Sequence, residues 1–308
     1  MRKLILLVLC CFGLAVQAEN VEKYDKPKLT LWSVISEIPS TGIKSVEYSF
    51  TKDTIPAWAV IVTTTALTYH YDDDIYKGTQ ETGRRWGIGN EDYTKTAISG
   101  FGFDLLRLPS DTGSALYFLG DGWTHTGAAL AFLANGYFFD NNRPYNTGLQ
   151  IIHGMVVSTF FSQAIKRATG RESPNRATEP KGKWRPFPSV AAYQSDTASY
   201  DAFPSGHIMT ATLAFTVIGE NYPEYSNYIF PLEILWLTGL GFEMVNNGVH
   251  WASDYPLGIG IGYVVGKMAT RMGEKKTVAD KKLPEKPMWS FFPTTGSDGP
   301  LVNAMYSF

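Results

Sequence analysis

Cysteine is nearly missing from this chain. Its 308 residues hold two, Cys10 and Cys11, and both fall within the apolar run Leu4–Ala15. Arg2 and Lys3 precede that run and Val16–Gln17–Ala18 follows it, the pattern of an export signal cleaved after Ala18. The run is too short to cross a bilayer as an ordinary helix. A mature chain starting at Glu19 would contain no cysteine, which excludes disulfides and thiolate chemistry. Its expected place is the periplasm or cell envelope. A strong charge of either sign is missing too. Lys and Arg number 27 against 29 Asp and Glu, and losing Arg2 and Lys3 lowers the basic count to 25. That mildly acidic balance offers nothing to nucleic acid. Internal repeats and long low-complexity tracts are absent, and strand-like alternation is scarce. The acidic run Asp72–Asp73–Asp74 lacks the ligand spacing of an EF-hand and reads as a solvated helix end rather than a calcium site.

What is present is a series of apolar stretches of helical length. Helices are predicted over Thr54–Tyr71, Gly113–Phe139, Asn146–Thr169, Ile208–Gly219, Ser226–Val245 and Ser253–Arg271. Asp121, His125, His153, Ser162 and Gln163 interrupt the second and third. Lipid-facing helices tolerate such breaks poorly, so both are expected to be buried in a bundle without membrane-spanning segments. The fold class is mainly α, a helical bundle forming one domain over 19–272. A Lys/Glu-rich linker over 273–287 follows, then a tail over 288–308 expected to form a hairpin. Residues 170–203 make a long polar, Pro-rich and aromatic loop, of the kind that binds or covers a site.

The stretch Asp201–Ala202–Phe203–Pro204–Ser205–Gly206–His207 leads straight into a predicted helix. The first N–H groups of a helix have no internal partner, so such a turn is suited to an anion. Ser205 adds a hydroxyl, Gly206 permits close backbone approach, and His207 sets an imidazole beside the anion, able to protonate a leaving group. A Ser-capped helix with a half-buried histidine is the plainer alternative. Two further segments carry similar chemistry. Lys166 to Pro174, at a helix end, supplies cations, although Lys166 and Arg171 there would also complement the helix dipole. Gly248 to Asp254 supplies His250 with Asp254 four residues on, able to hold one ring nitrogen and leave the other free. Equally, Asp254 suits the first turn of a helix, with His250 packed beside Trp251. His70, His125 and His153 read as bundle or surface histidines.

These segments, in this order, resemble the type-2 phosphatidic acid phosphatase and vanadium haloperoxidase superfamily, whose pattern is K-x6-R-P, then P-S-G-H, then S-R-x5-H-x3-D. The resemblance runs from about Asp121 to Lys267. Pro204–Ser205–Gly206–His207 is complete, and Lys166, Pro174, His250 and Asp254 fit, while Ser173 and Met244 stand where the family has arginine. The resemblance implies that His250 is a nucleophile forming a phosphohistidine, that Asp254 orients it, and that His207 protonates the leaving oxygen. Lys166, Ser205 and Gly206 would hold the phosphate, with Arg171, or Arg176 or Arg185 in the adjoining loop, replacing the lost arginines. No metal or other cofactor is implied. The implied activity is hydrolysis of phosphomonoesters or diphosphates, above all lipid phosphates, with peripheral membrane association. Trp184, Tyr193, Tyr200 and Phe203 would offer a rim to a lipid tail. The missing arginines argue against a haloperoxidase, which needs a dense cationic cage. They also leave open a non-catalytic, phosphate-binding relative.

Overall fold

The computed structural model describes residues 24, 26–90, 94–100, 103–273, 289–296 and 299–306. The expected signal and nearly all of the expected linker lie outside them. The protein is mainly α, as its sequence implies. Two short helices, α1 (Ser33–Ser36) and α2 (Ile38–Ser49), lead into the long α3 (Ile55–Arg85). An antiparallel hairpin follows, β1 (Thr94–Gly100) with β2 (Phe103–Pro109). Then come α4 (Thr112–Phe118), α5 (Gly122–Phe138), α6 (Asn142–Thr169), α7 (Val190–Ser195), α8 (Gly206–Asn221), α9 (Ser226–Asn246) and α10 (Tyr255–Ala269). In the tail, β3 (Trp289–Gly296) pairs antiparallel with β4 (Gly299–Tyr306).

Two differences from the sequence reading change the assignment of an element. The acidic run does not end a helix: α3 continues through it to Arg85, and Asp72 is buried rather than solvated. The stretch 113–139 is not one helix, because Asp121 caps a new start by accepting the N–H of Trp123 at 2.7 Å.

Helix α8 is central, packed against α5, α6, α9 and α10. Ala129, Ile151, Val157, Leu213, Ala214, Val217, Val265 and Ala269 form the core around it. Its closest neighbour is α10, where Gly258, Gly262 and Gly266 recur every four residues on one face. A Cβ on Gly258 would lie 2.7 Å from the Ser205 carbonyl, and one on Gly266 would lie 3.0 Å from that of Leu213. This stripe lets the backbones of α8 and α10 touch, which draws the starts of both helices together.

The polar breaks do not keep every helix below the length and apolarity that a membrane span requires. Asn142–Thr169 and Pro223–Asn246 are long and apolar enough to cross a membrane, with 50% and 28% of their most apolar windows buried in the bundle. On α9 the side chains of Tyr228, Leu232, Ile234 and Leu235 are exposed.

Candidate active site

The site forms where the end of α6 meets the starts of α8 and α10. Helix α6 stops at Gly170, whose left-handed φ of 57° is one that glycine adopts without strain. A side chain there would also run into the Arg185 carbonyl. The chain then turns inward, and Arg171 bridges to Trp184 on one side and Asp201 on the other. The loop 170–203 is thereby laced to itself, with Glu172 at its centre. That buried carboxylate accepts the N–H groups of Thr178 at 2.9 Å and Lys183 at 2.8 Å and pairs with Arg185. Burial alone would raise the Glu172 carboxyl, but these donors, with the Thr178 hydroxyl, hold it below its ordinary value.

Lys166, on the last turn of α6, is largely buried and reaches Asp201 Oδ2 at 3.4 Å. Its Nζ also lies 3.9 Å from where a Cβ on Gly206 would sit, so it faces the Pro-Ser-Gly turn. Ser205 caps α8 by accepting the Ile208 N–H at 3.4 Å, and its own N–H donates to the Asp254 carbonyl at 3.0 Å. The N–H groups of Gly206 and His207 are the first in the helix and have no intrahelical acceptor.

The two histidines meet. His207 Nδ1 lies 3.3 Å from His250 Nε2, with the rings inclined at 69°. On its other side His250 Nδ1 is 2.7 Å from the carbonyl of Ala202. A carbonyl only accepts, so the proton of neutral His250 sits on Nδ1 and the Nε2 lone pair faces His207. Asp254, expected to hold His250, lies further off at 3.5 Å and accepts the Trp251 N–H at 2.7 Å. The carbonyl therefore takes the stronger contact. The backbone of His250 is fixed as well, its N–H donating to the Met244 carbonyl at 3.2 Å. Burial first, then the charges of His250, Lys166 and His125, push His207 well below the ordinary histidine value.

Both candidate replacement arginines are paired with carboxylates. Arg171 does not reach toward phosphate: it is fully buried, donates to Asp254 Oδ1 at 2.5 Å and Asp72 Oδ2 at 2.7 Å, and lies among the rings of Tyr69, Trp184 and Trp251. Arg185 is held by Glu172. Arg176 is paired with Asp196 at 3.4 Å. Ser173 is buried in the loop, and Met244 is buried in an apolar cluster with Ile208, Ala211 and Leu240. Among the described residues, no three His, Cys, Asp or Glu side chains are grouped to hold a metal.

Of the histidines set aside, His153 ties α6 to the N-terminal helices through the Val34 carbonyl and Thr41 hydroxyl, both at 2.8 Å. His125 is buried near His207 with its Nε2 unpaired. The sequence reading missed Asp72, Asp201, Ser253 and the Ala202 carbonyl. Asp201 was visible beside the Pro-Ser-Gly turn, whereas nothing local distinguishes Asp72 from its two acidic neighbours. The aromatic rim is partly formed: the Trp184 ring centroid lies 5.5 Å from that of Phe203 and 6.3 Å from that of Tyr69, while Tyr193 is buried and stacks with Tyr200.

A bundle that joins these three segments at one end defines a class. Residues 147–277 match the model of the PAP2 superfamily. Over 134 residues the chain is 25% identical to phosphatidylglycerophosphatase B of Escherichia coli strain K12, covering 43% of this chain and 51% of that protein. It is 26% identical over 129 residues to decaprenylphosphoryl-5-phosphoribose phosphatase of Mycobacterium tuberculosis, covering 42% and 63%. The matched region thus spans about half to under two thirds of these relatives. In structure it is similar to a transmembrane PAP2-type phosphatidylglycerolphosphate phosphatase from Bacillus subtilis, with a TM-score of 0.44, 16% identity, and coverage of 80% of this chain and 98% of that one.

Proposed function

We propose that this protein is an exported phosphatase of lipid phosphates that works through a phosphohistidine on His250. One observation carries the reading: the Nε2 lone pair of His250 faces His207 at 3.3 Å, beside a lysine and an anion-ready helix start. The phosphate takes the place of Asp201 on Lys166 and accepts from the N–H groups of Gly206 and His207. His250 Nε2 attacks phosphorus, the bond to the ester oxygen breaks, and His207 gives that oxygen a proton. Water then attacks phosphorus and gives its proton to His207, and the P–N bond breaks with its electron pair returning to Nε2. His207 is neutral in the free protein; a phosphate dianion alongside favours the imidazolium, so the acid forms as substrate binds. The exposed apolar face of α9 suits contact with lipid, and the names of the superfamily relatives point the same way.

The competing reading is a phosphate binder without turnover, favoured by one specific observation: Met244 is packed in the core where the family has arginine. The deciding experiment offers the purified full chain p-nitrophenyl phosphate, phosphatidic acid and a polyprenyl diphosphate. Turnover inhibited by vanadate and retained in EDTA supports the phosphatase. Saturable binding of inorganic phosphate with no release from any substrate supports the binder. Fractionation and N-terminal sequencing test export, expected to yield a chain starting at Glu19 in the envelope fraction.

A further inference from the structure

We infer that Asp72 and Arg171 are positioning residues for His250, acting through Asp254. This rests on the proposed reaction at His250, yet it concerns a residue on α3 that lies 75 positions before the superfamily match begins. The connection is continuous and buried. Asp254 uses Oδ2 toward His250 Nδ1 and the Trp251 N–H, and Oδ1 toward Arg171 Nη1. The same Nη1 donates to Ser253 Oγ at 2.7 Å, while Nη2 donates to Asp72 Oδ2 at 2.7 Å. Ser253 closes the circuit: its hydroxyl donates to Asp72 Oδ2 at 2.5 Å and its N–H to Asp72 Oδ1 at 3.1 Å. Asp254, Ser253 and Arg171 are 0% exposed and Asp72 is 1% exposed.

Charge makes this more than a brace. Two carboxylates share one guanidinium; burial raises the Asp72 carboxyl while the donors from Ser253 and Arg171 oppose that rise, and with Asp72 ionised the cluster carries one negative charge in excess, buried behind His250. When Nε2 donates its electron pair to phosphorus, the imidazole ring becomes cationic with its proton still on Nδ1. A negative cluster behind that ring favours the charged intermediate more than the neutral starting state. Asp72 accepts from Arg171 and twice from Ser253, so the cluster keeps its geometry only while all its members are present.

The test is Asp72→Asn, which keeps the shape and removes the charge. With p-nitrophenyl phosphate, the expected result is kcat lower by about tenfold with KM within about twofold. In parallel, the NMR signal of the His250 Nδ1 proton should exchange with solvent roughly tenfold faster or more, since local opening of the site becomes easier. This second readout needs no turnover, so it stands even if the wild type proves to be only a binder. A folded D72N protein with unchanged kcat and unchanged His250 proton exchange would overturn the inference. Should D72N fail to fold, Ser253→Ala removes the bridging hydroxyl without changing charge; a smaller loss of kcat in the same direction is expected, and none would overturn it equally.

Discussion

At the scale of single residues, the site is built from histidines in unlike surroundings. His250 is held by a carbonyl at one nitrogen and faces His207 with the other; His207 and His125 are pushed toward the neutral form by burial. His125 is lowered from 6.5 to about 4. The unfolded chain therefore binds a proton at this position that the folded chain refuses, and stability falls as pH drops from 6.5 towards 4. The loss is about 3 kcal/mol over that window, and His125→Phe, which cannot be protonated, should remove most of it. Denaturant unfolding of both proteins at pH 7 and pH 4.5 measures the difference. Glu172 adds to the loss at lower pH, because a carboxyl held below its ordinary value stabilises the fold above that value and loses this as it protonates. His207 gives a further expectation. If phosphate favours its imidazolium, binding takes up a proton, seen in calorimetry as a binding enthalpy that changes with the buffer's ionisation enthalpy. His207→Gln should abolish that dependence.

Elements explain why residues so far apart in sequence converge. The glycine stripe of α10 lets it lie directly on α8, and this holds Ser205 at hydrogen-bond distance from Asp254. A Cβ at Gly262 would press on the Met209 carbonyl and sit 3.0 Å from Thr212 Cβ. Gly262→Val should therefore cost about 1–3 kcal/mol and lower activity by widening the gap between His207 and His250, both measurable on one purified variant by unfolding and by turnover. Much of this was legible in the sequence. Helical periodicity gave the bundle, and the Ser205 cap, His207, His250 and Lys166 stand in segments whose chemistry could be read locally. What could not be read is what requires tertiary contact. Asp72 looks like any acid in a charged run until α3 is packed on the turn at Ala252–Asp254. Arg171 looks like a free cation until Asp72 and Asp254 are seen to consume it. The charges are visible along the chain, whereas their pairing across it is a property of the packed fold.

For the whole molecule, the question is whether one lysine and a helix start can do work that the family shares among more cations. Three arginines of the loop neutralise carboxylates: Arg171 for Asp72 and Asp254, Arg185 for Glu172, Arg176 for Asp196. Losing one well-placed charge clamp costs roughly 10²–10³ in rate, so turnover slow enough for the intermediate to be caught is expected. The most direct measurement uses that slowness. The full chain is mixed with a substrate carrying labelled phosphate, quenched in alkali, and digested to locate the label. The expected result is label on the peptide containing His250, stable in alkali, lost in acid, and absent from His250→Ala. Turnover of the same substrate with no label on His250 at any quench time, or label that persists in His250→Ala, would contradict a phosphohistidine at this site.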